Sequence, residues 1–209
     1  HKPAGHISSE AGMVISVEGS AKKYILAFCN SKIADIILKI LSPTLNYELG
    51  DVGKLPIIMP EKSTELFINK LVDELENMSQ CDWDSFETSW DYKKHPLVKL
   101  AKKIVYNNGN LSYRIRDAFF LWESECNTRF SQLKSNEEEL NRIFIDIYGL
   151  QDELRPEVED KDVTVRKAEL GRDIRSFISY VVGCMFGRYS LDREGLMFAG
   201  GDMRDIYAY

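Results

Sequence analysis

From Ser112 to Tyr148 the chain keeps helical periodicity almost without a break, and that one stretch commits it to a mostly α-helical fold. Its apolar positions are Ile115, Phe119, Leu121, Trp122, Phe130, Leu133, Leu140, Ile143, Phe144 and Ile147. Ser135, with Glu138 three residues on, reads as a capping box that starts the second half of this pattern. Gly149 is placed to stop it as a left-handed C′ residue.

Helical spacing recurs on both sides. Tyr24, Ile25, Phe28, Ile33, Ile36, Ile37, Ile40 and Leu41 predict one long helix, or two broken near Asn30-Ser31, ended by Pro43. Ser63 reads as the cap of a helix whose stripe is Leu66, Phe67, Leu71, Val72 and Leu75. A shorter helix is predicted over Pro96 to Tyr106 and a last one over about Ala168 to Arg188. Strand signal is confined to the start, where His6 to Glu18 alternates loosely around Gly12 and contains Met13-Val14-Ile15-Ser16-Val17. Two short strands fit it. Thr44 to Ile58, with Gly50, Gly53 and Pro56, reads as an irregular, partly extended connector, and Gln151 to Asp162 as an acidic loop. The fold class expected is α+β, predominantly helical, with short N-terminal β elements before a multi-helix region. A boundary is expected near Pro60, dividing 1–60 from 61–209.

Composition narrows the class. With 44% hydrophobic and 29% charged residues the chain is globular in character, and ten Tyr, ten Phe and three Trp supply anchors for a core. No apolar run approaches the roughly 18–20 residues of a membrane span; Phe177 to Phe186 is too short and reads as a buried helix. The cysteines Cys29, Cys81, Cys126 and Cys184 lie far apart with no CxxC pair, so free buried thiols in a reducing, cytoplasmic compartment are expected. The first residues lack an initiator Met and read as mid-domain sequence of a longer chain.

Candidate chemistry is sparse. There is no GxGxxG, no GxxxxGK[ST], no HExxH and no GxSxG. No catalytic, cofactor-binding or metal-ligating residue is assigned. Glu137 to Glu139 and Glu157 to Asp162 read as solvated surface, and a nuclease reading of Glu159-Asp160-Lys161 lacks an upstream acid on a strand. Trp83, Phe86, Trp90 and Tyr92, interleaved with Asp82, Asp84, Glu87 and Asp91, read as a loop anchored by its aromatics. The net charge of −6 argues against a free-standing nucleic-acid binder but not against a local basic patch. Such a patch stands out: Lys93, Lys94, His95, Lys99, Lys102 and Lys103 fall close together, and on a helix from Pro96 the last three lysines share a face. Phosphate contact is one reading; a solvated face balancing the acidic loop is the other. Arg166, Lys167, Arg172 and Arg175 form a second group, for which neighbouring Glu169 and Asp173 favour internal pairing. His95, just before Pro96, reads as a helix-start or surface residue.

Five stretches together resemble the C-terminal region of the PglX-like adenine-specific DNA methyltransferases of BREX and phage-growth-limitation defence systems. They are YILAFCNSKIA (Tyr24 to Ala34), PTLNYELGDVGKLP (Pro43 to Pro56), DWDSFETSWD (Asp82 to Asp91), NEEELNRIFIDIYGL (Asn136 to Leu150) and GRDIRSFISYVVGCMFGRYS (Gly171 to Ser190). The first two are similar to the closing part of a target-recognition domain in several restriction–modification families.

The resemblance implies a parent that uses S-adenosylmethionine to make N6-methyladenine in double-stranded DNA. It puts the catalytic residues in an N-terminal domain not matched here. No two prolines of this chain are adjacent, so the Asn/Asp-Pro-Pro-aromatic loop that holds a flipped adenine is missing. The expected role is target recognition and scaffolding by a fragment inactive on its own, with no cofactor of its own. Tentative DNA-contacting residues are Asn46 and Lys54 in the connector, and Lys93, Lys94, Lys99, Lys102 and Lys103. The alternative is a module that docks other defence-system subunits.

Overall fold

The computed structural model describes residues 14–17, 19, 21–42, 49–108 and 114–198. Its helices are α1 (Ala21–Cys29), α2 (Lys32–Leu41), α3 (Leu49–Val52), α4 (Lys62–Trp83), α5 (Pro96–Asn108), α6 (Ile115–Tyr148) and α7 (Leu170–Met185). The predominance of helix is as expected, but no strand occurs among the described residues. Residues 14–17 are irregular, and Val14 and Ile15 are exposed. The rest of the predicted β region lies outside the described residues. The chain divides into two compact units, 1–76 with 134–162, and 77–133 with 163–209.

In the first unit, α1 and α2 separate where Asn30 and Ser31 predict. Ser31 Oγ donates to Phe28 O (2.7 Å), and Ser31 is the N-cap of α2, accepting from Ala34 N. Tyr24, Phe28, Ile33 and Ala34 pack with Ile68, Leu71 and Val72 of α4 and with Leu140, Phe144 and Ile145 of α6. Phe28 meets Phe144 edge-on at 5.7 Å and stacks on Tyr148 at 5.8 Å. Each fully buried large apolar side chain in such a cluster contributes about 1.5–3 kcal/mol. Two phenols hold the connector: Tyr24 donates to Ile58 O, while Tyr148 donates to Pro56 O and accepts from Ile58 N.

Gly149, at φ +66°, ends α6 as predicted: its N–H donates to Asp146 O and that of Leu150 to Ile145 O. The loop beyond runs back along α6. Asn141 Nδ2 donates to Pro156 O, Lys134 pairs with Asp160 (2.7 Å), and Val158 N–H donates to Glu138 (3.0 Å).

Three local expectations are corrected in or beside this unit. Ser135 caps nothing, because α6 passes through it unbroken. The inward stripe of α4 is Ile68, Leu71, Val72 and Leu75, and Leu66 and Phe67 face solvent. Glu137 to Glu139 are half-buried rather than solvated, and burial, reinforced by Asp162, pushes the Glu137 carboxyl up to about 7.

In the second unit, Leu97, Leu100 and Ala101 of α5 pack on Ala118, Phe119, Trp122 and Cys126 of α6. Glu169 caps α7 with its carboxylate on the Gly171 and Arg172 N–H groups, both at 2.9 Å. At the other end Gly187, at φ +74°, lets Arg188 N–H reach Gly183 O (2.8 Å). Tyr92, Tyr180 and Tyr189 form an aromatic cluster beside Cys184. Phe86 and Tyr92 thus anchor the aromatic loop, while Trp83 and Trp90 are exposed, contrary to their expected role. Phe177 to Phe186 is buried on one side only: Ile178, Val181, Val182, Met185 and Phe186 face solvent. All four cysteines are free thiols, but only Cys126 is fully buried.

Candidate nucleic-acid interface

The lysine cluster is built on the start of α5, and His95 sets that start. Leu97 N–H donates to His95 Nδ1 (3.2 Å), and Val98 N–H donates to His95 O (3.0 Å). Pro96 occupies the first turn, where its missing N–H costs nothing. The imidazole is buried against Phe177 and Tyr180 at centroid distances of 5.5 and 6.1 Å. Burial pushes its pKa down to about 4, against the opposing pull of Asp173, so the ring is neutral at physiological pH. With Nδ1 accepting, the proton sits on Nε2. His95 is therefore the helix-start residue of its first reading and not a surface one.

Because Leu97, Leu100 and Ala101 turn inward, Lys99 and Lys102 turn out. Lys94 Nζ and Lys102 Nζ both donate to Leu191 O, at 2.9 and 2.6 Å. Burial and the Lys102 charge lower the Lys94 pKa, while Glu194 and Asp192 oppose that shift. Lys93 and Lys99 are exposed, and no hydrogen bond or ion pair holds either ammonium among the described residues. The Lys93 backbone is held instead, its carbonyl accepting from Gly195 N–H at 2.8 Å. Two cations here are thus structural and two are free to meet an anion.

Lys54, in the other unit, pairs with Asp51 at 3.0 Å. Lys103 lies within α5, but its side chain is outside the described residues, as is all of Asn46.

Of the second basic group, Arg166 and Arg172 are half-buried and paired internally, whereas Lys167 and Arg175 are exposed. Arg166 donates through Nε to Asp82 Oδ2 (2.9 Å) and lies 3.5 Å from the Phe86 ring centroid. Arg129 approaches the same carboxylate at 3.5 Å. Arg172 Nε donates to Asp173 (2.6 Å), and Lys167 sits over the Phe130 ring at 4.1 Å. Sequence reasoning missed Asp82 as the buried centre of this group; the only signal was the run of four acids, Asp82, Asp84, Glu87 and Asp91, beside the tryptophans. No grouping of possible metal ligands occurs among the described residues, and Glu159 and Asp160 pair instead with Lys161 and Lys134. No described helix is long and apolar enough to cross a membrane.

A helical segment with a small free-lysine surface is the class that fold and site define. No protein-family model matches the chain. Curated relatives do. One is the adenine-specific methyltransferase PglX of Lacticaseibacillus casei (strain Zhang), 44% identical over 203 residues, which are 97% of this chain and 16% of the relative. Another is the adenine-specific methyltransferase BrxX of Escherichia coli O9:H4 (strain HS), 30% identical over 220 residues, covering 95% of this chain and 17% of the relative. The resemblance read from the sequence is borne out: nearly the whole chain matches a piece of PglX-like proteins, and it spans about a sixth of their length.

Proposed function

We propose that the chain is a segment of a site-specific adenine-N6 DNA methyltransferase of a bacterial anti-phage defence system and helps that enzyme hold duplex DNA in the cytoplasm. Residues 1–60 are the end of its target-recognition domain and 61–209 its helical C-terminal region. The observation that carries the reading is the 44% identity, along 97% of the chain, to a protein named as an adenine-specific methyltransferase. The relatives' names do not favour the subunit-docking alternative.

Physical chemistry supports a holding role. An enzyme that methylates a base must extrude it from the stack, and a surface outside the catalytic pocket has to grip the flanking backbone and fix register. Lys93 and Lys99 are the groups free to do so. S-adenosylmethionine is assigned to the rest of the protein, because this segment does not fit it. Gly50 and Gly53 come nearest to a donor loop, yet they lie in the short α3 and the turn after it, and no strand occurs among the described residues.

The test uses the full-length protein, duplex DNA and isotopically labelled S-adenosylmethionine. Label recovered as N6-methyladenine is the expected result; a folded protein that binds the donor but transfers no methyl group to DNA sinks the reading. Lys93→Glu with Lys99→Glu should weaken DNA binding while leaving donor binding intact.

A further inference from the structure

α7 is apolar on two sides. One side, carrying Phe177, Tyr180 and Cys184, is packed within its unit. The other carries Ile178, Val181, Val182 and Met185, at the spacing of a helix stripe, and continues into Phe186. These five are exposed, Met185 by 77% and Phe186 by 73%. Single exposed apolar residues are ordinary, whereas a contiguous stripe of this kind marks a contact surface.

We infer that this stripe is a docking face for another part of the same long polypeptide, an apolar surface outside residues 1–209 whose rim carries carboxylates. The inference rests on the proposed reading of the chain as a segment of a longer methyltransferase. Size argues for a covalently linked occupant. Five such side chains offer on the order of 500 Å², against the roughly 800 Å² per partner of a standard free-standing interface. A linked surface needs less, because the linkage holds it at high effective concentration and domain interfaces within one chain run small. The relatives supply the chain for it, since the match spans only 16% and 17% of their lengths. Charge names the rim: exposed Arg175 stands one turn before Ile178, and exposed Arg188 follows Phe186. Neither arginine has an ion pair among the described residues, Arg188 lying over the Tyr189 ring at 5.6 Å, so an acidic rim on the occupant would supply a carboxylate partner to each.

The test places a photo-cross-linker in the purified full-length protein, as Met185→p-benzoylphenylalanine and, separately, Phe186→p-benzoylphenylalanine. Both positions are exposed, so neither replacement strains the packed side of α7. After irradiation at low concentration, peptide mass spectrometry should find cross-links within one polypeptide, converging on a single region outside this segment. Cross-links that run only between copies, only to a separate protein or only within residues 1–209 overturn the proposal. So does their absence at both positions, or a natural gene product of only 209 residues. Methyl transfer measured on the same preparation reports independently on the reading beneath: expected cross-links without any transfer would leave the face and remove the methyltransferase.

Discussion

The indole N–H of Trp122 donates to Asp173 Oδ2 at 3.0 Å, and both side chains are buried. The same oxygen accepts from Glu169 N–H at 3.1 Å, and Arg172 Nε donates to the other oxygen. One carboxylate therefore ties the first turn of α7 to α6. Asp173→Ala should cost about 2–3 kcal/mol, since it strands a buried indole N–H and a partly buried guanidinium. Trp122→Phe removes only the donor and should cost about half as much. Denaturant unfolding of the two variants measures both.

His95 sets an acid limit. Its folded pKa, about 4, lies below the unfolded value of 6.5, so folding disfavours the protonated ring. The stabilisation is complete above about pH 6.5 and drains as pH falls toward 4, for a loss of about 3 kcal/mol. His95→Asn keeps a capping acceptor and does not titrate, so its unfolding midpoint should be lower overall but flatter across this window.

Glu137 sets the opposite limit. Its folded pKa, about 7, is raised above 4.5, so the stabilisation is present below the unfolded value and lost as pH rises through 7. Glu137→Gln should unfold at higher denaturant than the parent at pH 8 and gain little at pH 4. A parent equally stable at pH 6 and pH 8 removes Glu137 from this role.

Lys93 and Lys99 should each contribute about one unit to the slope of log binding constant against log salt for duplex DNA, so replacing either by Ala lowers the slope by about that much. Lys54→Ala should change it less, because Asp51 already holds that ammonium. Equal effects at all three positions would mean that the free lysines have no special part.

Gly183 and Gly50 should respond in opposite directions to alanine. A Cβ at Gly183 would stand 2.7 Å from Tyr189 Cδ2, a ring fixed in the tyrosine cluster, whereas one at Gly50 meets nothing within 4 Å. Gly183→Ala is expected to cost about 1–3 kcal/mol through overpacking, and Gly50→Ala to be neutral or to gain up to about 1 kcal/mol. Thermal unfolding separates the two.

Long periodicity and the helix breaks at Asn30-Ser31 and Gly149 were the legible part of this chain, whereas Ser63, read as a cap, lies inside α4. Gly149 and the Asn30-Ser31 break behave as their residue types dictate, because both act through the local backbone. Ser135 misled because a capping box is only a local preference. The buried neighbours Leu133 and Asn136, the latter donating to Glu74 (2.9 Å), keep α6 wound through it. Three adjacent apolar residues, Leu66, Phe67 and Ile68, leave the helix phase ambiguous, and only the assembled core of the first unit selects Ile68. At the lysine cluster, spacing showed which cations turn outward. It could not show that Leu191, far along the chain, engages two of them, since a backbone carbonyl carries no sequence signature.

That shared carbonyl gives the segment after α7 a tolerance to damage. Lys94 and Lys102 reach Leu191 O from the loop before α5 and from its second turn, so either remains a complete partner when the other is lost. A lesion at one lysine leaves this carbonyl engaged, so either position is free to drift in sequence while the other is kept.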